Sequence, residues 1–192
     1  MKQKLHSLLL MVALLSWSMG IAASDFDDGI LKYTITSPSN LEVQCDGFTD
    51  AHKNDESVVI PETVNYNNRT YSVVSVVGDY YYGFGGTNIK AIRLPSSLRK
   101  IGSYAFYTCK KLTEISIPDG VEEIGKGAFS SCDFSLVVIP SSVNKIDDYA
   151  FASNKKLMEV FFLGAKLPKI HWDSSSDAFS NSHKSCVFYV VD

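Results

Sequence analysis

The residues able to do chemistry are few and widely spaced. Beyond His6, histidine occurs at His52, His171 and His183, and no HExxH, GxSxG, phosphate-binding glycine loop or CxxC pair accompanies them. His183 and Cys186 form one HxxC pair, which lacks the four ligands of a structural zinc site. The segment HWDSSSD, 171–177, brings Asp173 and Asp177 together with three serines and would suit a hard cation such as calcium. It has neither the glycine nor the distal glutamate of an EF-hand loop, so a solvated loop is expected there. Asn68-Arg69-Thr70 fits a glycosylation sequon, which carries meaning only for a eukaryotic source. With no nucleophile beside a base, the expectation is a chain without catalytic residues, cofactor or metal.

The four cysteines raise the question of compartment. Lys2 and Lys4 precede the apolar run Leu8 to Leu15, and the small residues Gly20, Ala22, Ala23 and Ser24 follow. That order predicts a secretory leader over 1–24, cleaved between Ala22 and Ser24, with a run too short for a stable membrane span. Loss of Lys2 and Lys4 would deepen the formal net charge from −3 to −5, which argues against nucleic acid or an anionic membrane as partner. Disulfides are permitted in an exported chain. Cys109 and Cys132, however, hold one slot of successive repeats, where the next copy has Asn154. A ladder of small polar side chains facing the neighbouring backbone is expected, with both thiols reduced, because parallel side-chain vectors suit a disulfide dihedral poorly. A Cys109–Cys132 bridge is the alternative, and the pairing of Cys45 and Cys186 stays open.

Those cysteines belong to a phrase written three times: IGSYAFYTC at 101–109, IGKGAFSSC at 124–132 and IDDYAFASN at 146–154. Pro95, Pro118 and Pro140 follow at spacings of 23 and 22 residues. Apolar residues stand three and one before each proline, as Ile92 and Leu94, Ile115 and Ile117, Val137 and Ile139. Alternation of that kind predicts a short strand with one buried face, ended by a proline that has no N–H for a ladder. The Ala-Phe pairs at 105–106, 128–129 and 150–151 then fill the far side of each coil. One unit cannot bury its own apolar face, so identical neighbours must cover it. Phe84 sits 22 residues before Phe106 and Phe179 sits 28 after Phe151, which marks a degenerate first unit and a last one with about six extra residues near 164–178.

The repeat resembles the BspA-like leucine-rich-repeat family of secreted and surface proteins from anaerobic bacteria, its consensus matching 89–157 closely and both flanks more loosely. The resemblance implies a mostly β, right-handed leucine-rich-repeat solenoid with a parallel exposed sheet. It also implies a non-enzymatic role in adhesion to host matrix proteins or other cells. Upstream, GILKYTITSPSNLEVQC alternates on both sides of 37–40, and VNYNNRTYSVV turns at Asn67-Asn68. Both read as hairpins, so 25–88 is expected to be an N-terminal β cap with the first coil, and 89–192 the repeat coils.

Positions four and two before each proline should point outward by the period-two rule. They are Ala91 and Arg93, Glu114 and Ser116, Leu136 and Val138, then Glu159 and Phe161. Leu136, Val138 and Phe161 make an expected apolar patch bordered by Arg93, Glu114 and Glu159, a candidate site for a protein or glycan ligand. Plain β-propensity on an exposed strand would explain the same residues. Tyr80, Tyr81 and Tyr82 suit either a recognition surface or burial in an irregular coil. CVFYVVD at 186–192 lacks proline, lysine and glycine, so weak self-association through that strand is a further expectation, with an assembly subunit as the alternative function.

Overall fold

The computed structural model describes residues 24–78, 83–170 and 176–191. The expected leader apart from Ser24, the tyrosines 80–82, His171 and Asp173 lie outside the described residues. Alternating residues build the first layer. In β1 (Phe26–Asp27), β2 (Leu31–Ser37) and β3 (Glu42–Phe48), Leu31, Tyr33, Val43 and Cys45 turn inward and are buried. β2 and β3 pair antiparallel, Leu31 opposite Phe48 and Ile35 opposite Val43. After the short strand β4 (Ser57–Val59), a second hairpin joins β5 (Thr63–Tyr66) to β6 (Arg69–Val76). Its turn residues Asn67 and Asn68 take φ of 48° and 59°, the left-handed pair of a type I′ turn that asparagine tolerates. β3 then runs parallel to β6, which docks the cap on the coil stack.

Two parallel ladders follow from each repeat. Before Pro95 and Pro140 stand β7 (Ala91–Arg93) and β10 (Leu136–Ile139), and in register with β10 come β12 (Glu159–Leu163) and β14 (Val187–Val191), which no repeat proline ends. Later in each coil stand the two-residue strands β8 (Lys100–Ile101), β9 (Glu123–Ile124), β11 (Lys145–Ile146) and β13 (Lys169–Ile170). The second ladder continues the cap sheet in the order β6-β8-β9-β11-β13, whereas the first is split into β4-β7 and β10-β12-β14. Two findings therefore correct the repeat reading of one strand per unit. The Lys-Ile and Glu-Ile pairs are too short to show an alternation, and residues 112–117 of the central unit join no strand.

Register gives the coil lengths. Lys100 faces Glu123 and Glu123 faces Lys145, keeping the 23- and 22-residue steps, while Ser57 faces Ala91 and Glu159 faces Val187 across longer coils. The β5–β6 hairpin and the 164–178 region absorb the difference. Buried at 0–6% exposure, Phe84, Phe106, Phe129, Phe151 and Phe179 stack at ring distances of 5.5, 5.3, 5.2 and 5.2 Å. These steps are near the strand spacing, so the rings form one aromatic spine at a constant phase. At its start Phe48 meets Phe84 edge-on at 5.0 Å. Phe84 is thus fully buried, although its unit is degenerate, because the cap supplies the neighbour that the repeat lacks.

The polar ladder is present three residues after each spine ring. Two residues after each ring, Gly86, Thr108, Ser131, Ser153 and Asn181 take left-handed φ of 56° to 71° and turn the chain toward the slot. Cys109 Sγ donates to the Phe84 carbonyl at 3.0 Å and Cys132 Sγ to the Phe106 carbonyl at 3.2 Å. Asn154 Nδ2 donates to the Phe129 carbonyl at 2.9 Å, and Ser182 Oγ to that of Phe151 at 3.2 Å. Each thiol addresses the coil before it rather than the other thiol, and Cys45, Cys109, Cys132 and Cys186 are all unpaired. Burial pushes the Cys109 thiol up to about 11 and raises those of Cys45 and Cys132 as well.

The raised thiol makes stability fall in alkali. Below the ordinary value of 9.0 the Cys109 thiol is protonated in both states, so its contribution is fully present. Above it the unfolded chain ionises first, and the advantage is lost as pH rises toward about 11. Cys109→Ser, which keeps a donor in the slot, is expected to flatten the fall in urea-unfolding free energy over that window by about 2–3 kcal/mol. Identical pH profiles for the two proteins would contradict a buried neutral thiol.

Candidate functional site

The outward residues of the β10–β12–β14 sheet are set by strand alternation and parallel register. Val137, Ile139, Val160 and Phe162 anchor the strands in the core. Their neighbours then face solvent in two rows. Leu136, Glu159 and Val187 form one, and Val138, Phe161 and Tyr189 the other. Leu136 and Val138 are 40% and 37% exposed and Phe161 is half-buried, against Tyr189 at a ring distance of 4.6 Å and an interplanar angle of 11°. The two rings present faces to each other. Leu163 opposite Val191 extends the apolar surface at one side.

Four of the six expected site residues thus meet on adjacent strands: Leu136, Val138, Glu159 and Phe161. Arg93 is exposed on β7 opposite Val59, across the split in the sheet, and Glu114 is exposed within the unladdered 112–117 segment. No ion pair engages Arg93, Glu114 or Glu159 among the described residues. On the other ladder the charges satisfy one another. Glu123 lies 2.8 Å from Lys100 and 2.9 Å from Lys145, whose ammonium groups hold its carboxyl below the ordinary value. Exposed pairs of that kind add little stability and form a solvated face.

Val187, Tyr189 and Val191 were missed as members of this surface. A spacing could have found them: Val187 follows its register partner Glu159 by 28 residues, as Phe179 follows Phe151. Among the described residues, those that could do chemistry serve local structure. His52 Nδ1 meets Asp55 Oδ2 at 2.7 Å in a surface turn, and the HxxC pair is a turn in which the Cys186 N–H donates to the His183 carbonyl at 3.0 Å. Asp177 accepts from the Phe179 N–H at 2.7 Å. Among the described residues no group of three His, Cys, Asp or Glu side chains is placed to hold a metal ion, and no helix is long and apolar enough to cross a membrane.

Solved structures share this architecture. A leucine-rich repeat protein from Bacteroides capillosus ATCC 29799 is 26% identical with a TM-score of 0.63, over 74% of this chain and all of that one. One from Bacteroides ovatus ATCC 8483 is 23% identical with a TM-score of 0.55, over 86% of this chain. This chain spans only 55% of the Bacteroides ovatus protein. The pneumococcal vaccine antigen PcpA shares the fold at 19% identity and a TM-score of 0.58, over 88% of this chain and 46% of its own. A leucine rich cell surface protein from Faecalibacterium prausnitzii A2-165 shares it at 17% identity and a TM-score of 0.50, over 89% of this chain and 52% of its own. No curated protein matches the chain. Six copies of the BspA type leucine rich repeat region match residues 79–188, more than half of the chain, and with the spine and the polar ladder in phase the chain belongs to that family.

Proposed function

We propose that the chain is an exported, non-enzymatic binding module that recognises a protein ligand through the exposed β10–β12–β14 face. The observation that carries this reading is the contiguity of Leu136, Val138, Phe161, Val187 and Tyr189 in two facing rows on a sheet otherwise open to solvent. Apolar surface of this kind, with the charge of Glu159 set between Leu136 and Val187 and those of Arg93 and Glu114 on the preceding coils, is the anatomy of a protein contact. A protein is favoured over a glycan because the aliphatic side chains of Leu136, Val138 and Val187 make up most of the surface and offer a sugar no hydrogen-bonding group. A cell surface protein and a vaccine antigen among the structures that share the fold support a place outside the cell. The role we propose there is adhesion, with host matrix proteins as the first ligands to try.

Soluble host matrix proteins, captured one at a time on the immobilised chain, test the proposal. Val138→Asp with Phe161→Asp is expected to weaken a captured ligand at least tenfold while the thermal unfolding of the coils stays near that of the unmodified chain. Leu136→Ser, a milder change at an exposed position, separates a binding defect from a folding one. Equal capture by all variants would place the ligand elsewhere, and binding to glycan arrays in place of proteins would overturn the choice of ligand class.

A further inference from the structure

The pairing of β14 with β12 uses alternate residues. The Val187 N–H donates to the Met158 carbonyl at 2.8 Å, and the Val191 carbonyl accepts from the Gly164 N–H at 2.6 Å. In a parallel ladder a residue directs its N–H and C=O to the same side, so Val190, of the opposite parity, directs both away from β12. Among the described residues no strand lies on that side of β14. Natural edges are blunted by charge, proline or cover, and Val187–Val191 has neither charge nor proline. Its side chains are exposed on both sheet faces, from Tyr189 at 38% to Val190 at 52%.

We propose that a second copy of the chain occupies this edge, the two β14 strands pairing antiparallel about a twofold axis perpendicular to the sheet. The strand is apolar on both faces, so its own copy matches it without a charge to neutralise. The opposite end of the stack does not match it. There the same ladder begins at β4, which has three residues and follows Glu56 in its ion pair with Lys90 at 2.7 Å. Head-to-tail stacking would set five apolar residues against three beside an ion pair, whereas the twofold pair matches the strand along its whole length and leaves neither β14 edge open. Because the axis is perpendicular to the sheet, both exposed faces look the same way. The row Val138, Phe161, Tyr189 then continues across the axis into its copy. One strand pair is a small interface, so the association is weak and concentration-dependent.

Sedimentation equilibrium of the full chain, in a dilution series from its highest soluble concentration, tests the pairing. The apparent mass is expected to rise with concentration toward twice the chain mass and to stop there. Val190→Pro deletes the outward N–H and removes no bond to β12. It should remain monomeric throughout with unchanged thermal unfolding. Val190→Lys, which puts a charge on the same edge, is the second variant should proline disturb the strand. A strictly monomeric unmodified chain, growth beyond the dimer, or dimerisation undiminished in a folded edge variant would each overturn the proposal. Val138→Asp should dimerise normally while losing ligand, so failure of the binding reading and failure of the dimer are separable.

Discussion

Replacement of Phe129 by alanine is expected to cost about 3–5 kcal/mol, a fall in melting temperature of roughly 10 °C for a chain of this size. The ring is fully buried between Phe106 at 5.3 Å and Phe151 at 5.2 Å, with Phe134 edge-on at 5.8 Å. Backbone bonds on both sides, Phe106 N–H to the Ala128 carbonyl at 2.8 Å and Phe129 N–H to that of Ala150 at 2.7 Å, hold the coils at fixed spacing. The cavity therefore cannot collapse, and the loss should sit at the upper part of the usual range. The degenerate unit around Phe84 suggests a smaller loss for Phe84→Ala. With Phe48 packed against it, the expected loss instead lies within about 1 kcal/mol of that for Phe129→Ala. Urea midpoints of the two variants check both statements, and a Phe129→Ala cost below about 1 kcal/mol would remove the spine as a source of stability.

Gly47→Ala is expected to loosen the cap from the first coil. Gly47 has a φ of 107°, and a β-carbon there would stand 2.4 Å from the Cα and carbonyl carbon of Gly83. Both contacts are backbone, so no side chain can swing aside. Strain at a positive φ and the forced shift of a packed segment together predict a loss of roughly 2–5 kcal/mol. Gly29→Ala separates the two causes, since Gly29 has a φ of 98° but nothing within 4 Å of its would-be β-carbon. It should show the conformational part alone, about 1–2 kcal/mol. Equal melting temperatures for the two variants would mean that the Gly47–Gly83 approach is not under load. Preferential proteolysis within 24–60 of Gly47→Ala would show directly that the cap has come away.

The repeat period carried a great deal of this structure in its letters. Phe106, Phe129 and Phe151 recur at steps that let each ring fall on the last, and Cys109, Cys132 and Asn154 recur in the slot that faces a neighbour's carbonyl. Such features are readable because each coil contacts chiefly the next, so phase along the chain becomes position up the stack. The outward direction of Leu136, Val138 and Phe161 was readable for the same reason, since strand alternation is local. Contacts between segments of unequal length were not. Phe48 closing the spine and β3 lying parallel to β6 each depend on how an irregular segment spends its extra residues. The break at 112–117 has no local mark either: LTEISIP alternates as well as its neighbours, yet no ladder forms there. A strand exists only when the adjacent coils come within bonding distance, and that distance is set by the packing of the whole stack rather than by the residues of one turn.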